Sequence, residues 1–332
     1  MLKPFLGLLF AGAAATAGAA DRIVIQQFTG TFGNAAGVVA ASKGFCAKAN
    51  IECVIQPVAN GPLGVQALVG KSIDVAFSAT EVFVAAIAAG TKIKMVYGGY
   101  NNLSYSLMAR NDLALPNAAA GYPAFMKDLK GKRIGVAARG SGTELQLVSL
   151  LTNAGMTSAD VTIVPVGGPG TAYASLVVGK QIDALMLFPP VRRICLVEKN
   201  CRVLVDNKLM KWPKELADMI GAPAGLAMRT EMIESNPELV NRFIGALTQA
   251  TQWIRDPANR QEFKEIMRAN MVLSDLPKAE EIRSLWIDDE IADMGDGKIS
   301  RPALQATAKF LQEKGFVSRA PALAEMVYEK AP

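Results

Sequence analysis

The chain has no histidine among its 332 residues. A Ser-His or Cys-His nucleophile pair is therefore impossible, and imidazole-ligated zinc is excluded with it. Cysteine is nearly as scarce. The four present show no C-x-x-C spacing, so a thioredoxin-like redox centre or a thiolate zinc site has no support. Charge of one sign is never concentrated: the formal net charge is +5, and lysine and arginine are scattered among acidic residues with no basic block. No nucleic-acid partner is expected of such a chain. Long apolar runs are missing too, except at the N-terminus, so no membrane span is expected after that segment is removed.

The N-terminal exception is informative. Lys3 precedes an apolar run over residues 5–15, and small residues follow in "TAGAA". The run is shorter than the roughly 20 residues a spanning helix needs, so residues 1–20 read as a secretory signal peptide cut after Ala19 or Ala20. The first cysteine, Cys46, lies far from the cut, which argues against a lipid anchor. Export predicts a free periplasmic protein in an oxidising compartment. Four cysteines allow three pairings. The local one, Cys46 with Cys53 and Cys195 with Cys201, needs no long-range assumption and is the one expected, with buried free thiols as the alternative.

Against these absences stands enough apolar residue, 51% of the chain, to bury the cores of two domains. The stretch "LVGKSIDVAF" at residues 68–77 returns as "LVVGKQIDAL" at residues 176–185. Around each copy the surroundings repeat as well. "RIVIQQFTGTFGNAAGVVAASKGF" and "KRIGVAARGSGTELQLVSLLTNAGM" both read as strand, Gly/Thr loop and helix, and "CVIQPVANGPLG" and "VTIVPVGGPGT" as second strands entering Gly/Pro loops. In each copy the glycine, Gly70 or Gly179, is expected in the left-handed position that ends a helix, with Lys and Asp keeping the turn in water.

Strand, loop and helix in alternation imply an α/β chain of two similar lobes, each a mainly parallel open sheet flanked by helices. Such sheets bind ligands beyond the carboxyl ends of their strands. The loops there are "TGTFGN", "ANGPLG" and "SATE" in the first half and "RGSGT", "GGPGT" and "LFPP" in the second. Two facing rims rich in Gly, Ser, Thr and Asn suggest a cleft, with free N–H groups at helix starts suited to a small anion or an acceptor-rich polar ligand. Ordinary capping accounts for each loop alone, as in "SGTE", a candidate capping box. Phe32, Tyr100 and Phe188 lie near these loops as candidates to stack on a planar ligand.

With these stretches, and with "VVAASKGFCAKANIECVIQPV", "LKGKRIGV" and "RTEMIESNPELVNRFIGALTQATQWIRD", nearly all of the chain after the signal resembles the type II periplasmic solute-binding proteins of ABC importers. The branch it resembles takes sulfonates, nitrate and thiamine-precursor pyrimidines. In the last stretch Asn236 is a candidate N-cap, Pro237 takes the first helical position, and Leu239, Phe243, Leu247, Ala250 and Ile254 keep core spacing. The resemblance implies two lobes joined by two crossing segments, placed near residues 100–110 and 224–229. Lobe 1 would comprise residues 21–103 and the helices of 229–332, and lobe 2 residues 104–228.

Carried over residue by residue, the resemblance implies ligand contacts from Thr31, Phe32, Asn60, Gly61, Ser78 and Thr80 in lobe 1. Gly140, Ser141, Thr143, Gly168 and Phe188 would contribute from lobe 2, with Asn101 at the crossing. Arg139 is the one candidate for an anion clamp. The acidic group Asp288, Asp289, Glu290, Asp293 and Asp296 lacks EF-hand spacing and reads as a solvated helix end, so no metal is expected. No cofactor is expected either.

The implied function is capture of a small polar or anionic organic solute by a monomer and its delivery to an ABC permease in the inner membrane. A sensing subunit docking on a receptor kinase would use the same cleft. An enzyme is the remaining class, and its signals are weak. "GSGTEL" has Leu145 where a dinucleotide fingerprint needs its third glycine, and "RGSGT" lacks the G-x-S-x-G elbow.

Overall fold

The structure is a computed structural model that describes residues 19–28, 30–102, 104–206, 210–269, 273 and 276–332. The expected signal peptide lies outside the described residues except for its last two. Within them no helix is long and apolar enough to cross a membrane.

The first half runs β1 (Asp21–Gln27), α1 (Ala35–Ser42), α2 (Phe45–Lys48), β2 (Ile51–Pro57), α3 (Gly61–Val69), β3 (Val75–Ala79), α4 (Thr80–Ala88) and β4 (Ile93–Tyr100). The second runs β5 (Ser106–Arg110), β6 (Arg133–Val136), α5 (Gly142–Asn153), β7 (Thr162–Pro165), α6 (Pro169–Tyr173), β8 (Ala184–Leu187), α7 (Val191–Glu198), β9 (Cys201–Val205) and α8 (Lys214–Ala217). The chain closes with β10 (Ala224–Arg229), α9 (Thr230–Ser235), α10 (Pro237–Arg255), α11 (Arg260–Arg268), α12 (Ala279–Asp293), α13 (Arg301–Glu313) and α14 (Leu323–Met326).

Two five-stranded sheets result, ordered β2-β1-β3-β10-β4 and β7-β6-β8-β5-β9. β1 is parallel to β2 and β3, while β10 runs antiparallel between β3 and β4. β6 is parallel to β7 and β8, while β5 runs antiparallel between β8 and β9. Each sheet is thus mainly parallel with one reversed strand, the two similar lobes expected.

The reversed strands change the expected crossings. Residues 224–229, expected as the return crossing, form β10 inside the first sheet, and residues 106–110 of the expected outward crossing form β5 inside the second. Both are short apolar strands whose partners lie far away in sequence, so nothing local marks them as strands. The chain crosses between Tyr100 and Ser106 and again between Val205 and Ala224. A lobe limit at residue 228 cuts through β10.

The repeated stretch has a structural job that its turn chemistry did not suggest. Asp74 Oδ2 accepts the Val24 N–H of β1 at 2.9 Å, and Arg229 of β10 donates to Asp74 Oδ1 at 2.8 Å. In the second lobe Asp183 Oδ2 accepts the Arg133 N–H of β6 at 2.9 Å, and Arg110 of β5 pairs with Asp183 Oδ1 at 3.3 Å. Each aspartate therefore ties the first strand of its lobe to the reversed strand, instead of keeping a turn in water. The left-handed residue is also not the glycine: Gly70 and Gly179 have φ of −73° and −80°, whereas Lys71 and Lys180 have φ of 61° and 48°. A Cβ at position 70 would lie 3.2 Å from the Gln66 carbonyl oxygen that accepts the Gly70 N–H.

Leu239, Phe243, Leu247, Ala250 and Ile254 are all buried along α10, as their spacing predicts. Burial of each large apolar side chain contributes about 1.5–3 kcal/mol. Pro237 opens the helix, but Asn236 does not cap it and donates to Ser235 Oγ instead. The disulfides Cys46–Cys53 and Cys195–Cys201 are formed, the local pairing expected. One joins α2 to β2 and the other joins α7 to β9.

Candidate functional site

The carboxyl ends of β1, β3, β4 and β8 meet across the lobe boundary and wall a cleft. Its lining is aromatic: Phe28, Phe32, Phe77, Tyr100, Tyr105 and Phe188. Phe28 stands edge-on to Phe77 at 5.2 Å between centroids and reaches Phe188 of the other lobe at 5.9 Å. A smaller recess continues from it, sharing Phe28, Ala79, Tyr105 and Phe188 and bounded by Asn60, Gly61, Ser78, Ser141 and Thr143.

Thr31, Phe32 and Phe188 thus line the main cleft, and Asn60, Gly61, Ser78, Ser141 and Thr143 the recess. Most of their polar groups, however, are spent on holding the rims. Asn60 Oδ1 caps α3 through the Leu63 N–H, and Asn34 Oδ1 caps α1 through the Gly37 N–H. Thr31 Oγ1 donates to the Phe28 carbonyl and accepts the Gly33 N–H. Ser141 Oγ donates to the Ala138 carbonyl, and Thr143 Oγ1 accepts the Ala137 N–H. The caps on α1 and α3 thus take up one N–H each at their helix starts. Ser78 Oγ is the exception, buried without a partner. Gly61 fits against it because a Cβ there would lie 2.0 Å from that oxygen.

Several expected contacts fall elsewhere. Thr80 is fully buried and donates to the Ala222 carbonyl, tying α4 to the segment before β10. Asn101 spends its backbone on Asp293 and Gly221, and its neighbour Asn102 lines the cleft instead. Gly140 is exposed with its N–H on Glu144 Oε2, so "SGTE" forms no capping box, and Gly168 begins the five-residue α6 away from the cleft. Arg139 pairs with Glu144 at 3.0 Å and stays 63% exposed. Phe32 presents one edge to the cleft but packs mainly on Phe263 and Trp286, at 5.5 and 5.3 Å.

Three chemically important groups were not foreseen as site residues. Glu290 of α12 lines the cleft, where its carboxyl accepts the Tyr100 hydroxyl at 2.6 Å and the Trp286 indole N–H at 2.9 Å. Burial pushes it up to about 7, against the lowering effect of those hydrogen bonds. Gln146 of α5 also lines the cleft and donates from Nε2 to Glu81 Oε1 of α4 at 3.1 Å, a bond between the lobes. Burial pushes Glu81 to about 7 as well, and its proximity helps raise Tyr105 well above the usual phenol value after burial itself. Glu81 stands in the quoted "SATE", the one signal available, as a lone carboxylate opening an apolar helix.

The acidic cluster at the end of α12 is solvated only in part: Asp288 and Asp296 are exposed, as expected, but Glu290 is buried and others have partners. Asp289 accepts from Arg193 and Arg192 of α7 across the lobe boundary, Asp293 Oδ1 accepts from Asn102, and Asp288 pairs with Arg260 at 3.3 Å. Among the described residues no group of three or more His, Cys, Asp or Glu is placed to hold a metal ion.

Two α/β lobes closing on an aromatic cleft at the strand ends define the type II periplasmic binding protein fold. Solved structures agree. A protein of Bordetella bronchiseptica RB50 is similar with a TM-score of 0.77 at 22% identity, covering 94% of this chain and 96% of that one. The alkanesulfonate-binding protein SsuA of Xanthomonas axonopodis pv. citri, bound to MOPS, follows at 0.71 and 20%, covering 93% and 98%. The desulfurization enzyme DSZB shares the fold at 0.64 and 18%, covering 93% and 97%. The chain belongs to the NMT1/THI5-like family, whose model matches residues 32–259, well over half its length. A binding protein of Brucella abortus (strain 2308) is 27% identical over 219 residues, 66% of this chain and 62% of that protein, so the match spans less than two thirds of this relative. The riboflavin-binding protein RibY of Chloroflexus aurantiacus is 24% identical over 288 residues, 84% of this chain and 77% of that one.

Proposed function

We propose that this chain is the solute-binding component of an ABC importer: exported by its N-terminal segment, it captures a small organic solute between its lobes and delivers it to an inner-membrane permease. The observation that carries this reading is the aromatic cleft walled by both lobes, with no nucleophile hydrogen-bonded to a base among the described residues that line it. Closure requires only that the solute bind the closed arrangement better than the open one, and both lobes contribute wall. The disulfides suit an oxidising periplasm. The similarity to binding proteins supports capture without chemistry, although one fold neighbour is an enzyme.

Of the polar and anionic solutes the sequence allowed, the lining favours an uncharged or positively charged one. Among the described residues lining the cleft, Glu290 is the single charged type, with no lysine or arginine. An oxyanion would enter without a countercharge at a dielectric where that omission is costly. Thermal melting of the exported form against sulfonates, nitrate, carboxylates and planar heterocycles tests the reading. A true solute at about 100 times its Kd adds about 2.7 kcal/mol of stability. Failure of every compound to raise the melt contradicts capture.

A further inference from the structure

Gln146 holds an asymmetric position at the lobe boundary. Its Nε2 is committed to Glu81 Oε1, while its Oε1 is buried with no hydrogen-bond partner, as are Glu81 Oε2 and Ser149 Oγ one turn along α5. A buried acceptor without a donor is unfavourable and awaits one. The orientation of the amide follows from its neighbour. A carboxylate only accepts, so the amide nitrogen must face Glu81 and the oxygen must face away. A proton on Glu81, whose carboxyl burial raises to about 7, is accommodated on the unpartnered Oε2 and leaves Oε1 as an acceptor.

Much of the rest of the cleft has the same polarity. Glu290 accepts from Tyr100 and Trp286 on the lobe 1 side, and Phe28, Phe77 and Phe188 offer ring faces. The Ser104 and Tyr105 hydroxyls and the Asn102 amide add neutral donors, but no lysine or arginine lines the space among the described residues. A ligand made of charged acceptor oxygens would therefore find no countercharge there. A flat ring carrying N–H groups would complete Gln146 and stack between the aromatics.

We propose that Gln146, held in orientation by Glu81 from the opposite lobe, is the specificity determinant of the cleft and selects a flat, N–H-bearing, neutral or cationic ring over oxyanions. This rests on the solute-binding reading above. It makes Glu81 a positioning residue: Glu81 acts on the ligand only through Gln146, and because the pair spans the lobes, the recognising oxygen is correctly aimed only when they are closed.

The test uses three probes of one shape at pH 8, titrated calorimetrically into the full exported chain: benzamidine, benzamide and benzenesulfonate. In the unaltered protein benzamidine and benzamide bind at least about tenfold tighter than benzenesulfonate, the discrimination expected of one buried hydrogen bond. Gln146→Met, which keeps the volume, weakens the two N–H probes about tenfold and leaves benzenesulfonate unchanged. Glu81→Gln, whose amide accepts or donates, frees Gln146 to turn and narrows the discrimination about tenfold, a change that mere loosening of the fold would not produce. The ranking in the unaltered protein stands even where a variant fails to fold. Benzenesulfonate binding as tightly as benzamidine, or an unchanged ranking in a folded Gln146→Met variant, overturns the inference and leaves solute capture intact. No binding by any probe up to about 10 mM, weaker than a good single-ring fragment, also overturns it. The capture reading falls only if the wider solute library fails to raise the melt as well.

Discussion

Lobes 1 and 2 share a backbone plan and divide the chemistry unequally. Each sheet has the same strand order and one reversed strand delivered from beyond a crossing, β10 or β5, and each secures it with the aspartate of the repeated stretch. At the rims the likeness stops. Lobe 1 supplies Phe28, Phe77, Tyr100 and the Glu290 carboxyl, whereas lobe 2 brings Gln146, Phe188 and Pro189 against them. The Ser141 and Thr143 hydroxyls of lobe 2 hold their own loop, as Thr31 and Asn60 do in lobe 1. Duplication thus serves topology, and the proposed recognition falls on groups that the lobes do not share.

The largest effects should fall on what the lobes share. Asp74→Ala and Asp183→Ala each strip a partly buried strand N–H of its acceptor and an arginine of its aspartate partner, and each should cost about 3 kcal/mol in urea unfolding. Similar losses confirm the pseudo-symmetry, and a large loss at one position only would break it. The next effect belongs to the unshared carboxyls. A carboxyl whose folded pKa lies above its unfolded value keeps its proton on folding, so its contribution is complete below about 4.5 and lost as pH rises through about 7. Glu81 and Glu290 should each give a fall in stability on the order of 3 kcal/mol across that window. Melts of Glu81→Gln and Glu290→Gln should show a flatter pH profile, and an unchanged slope would contradict the burial assigned to them.

A smaller and again symmetric effect is expected of the disulfides. Both close short loops, with sequence separations of 7 and 6, so loss of either pair to alanine should cost about 2 kcal/mol by chain entropy in thermal melts. The smallest effect bears on how the lobes close. Arg193→Ala removes one of the two arginine donors to Asp289 between α7 and α12 and should lower apparent solute affinity about threefold, through the closed population and without touching the cleft. Titration of a melt-raising solute measures it, and an unchanged affinity would show that this ion pair does not bias closure.

The comparison also explains what the sequence could reveal. Strand, loop and helix alternation is local, so the two lobes and their facing rims were legible, and of the contacts that the resemblance implied within those rims Thr31, Asn60, Ser78, Ser141 and Phe188 do line cleft walls. β5 and β10 were read as crossings because their partners are remote. Thr80 was misplaced because a hydroxyl in a rim loop gives no sign of which carbonyl it will meet. Gln146 and Glu290 sit within helices, where neither periodicity nor turn chemistry separates a cleft-facing polar side chain from a solvated one. The acidic stretch of α12 looked solvated for the same reason: its partners, Arg192 and Arg193, come from the other lobe.

The most direct measurement is thermal melting of the exported chain against the solute library, repeated with Phe188→Ala and Gln146→Met. The account predicts that a small uncharged or cationic ring compound raises the melting temperature of the unaltered protein and that both folded variants lose most of that rise. A rise that survives both substitutions would place the ligand outside the cleft, and no rise with any compound would contradict solute capture itself.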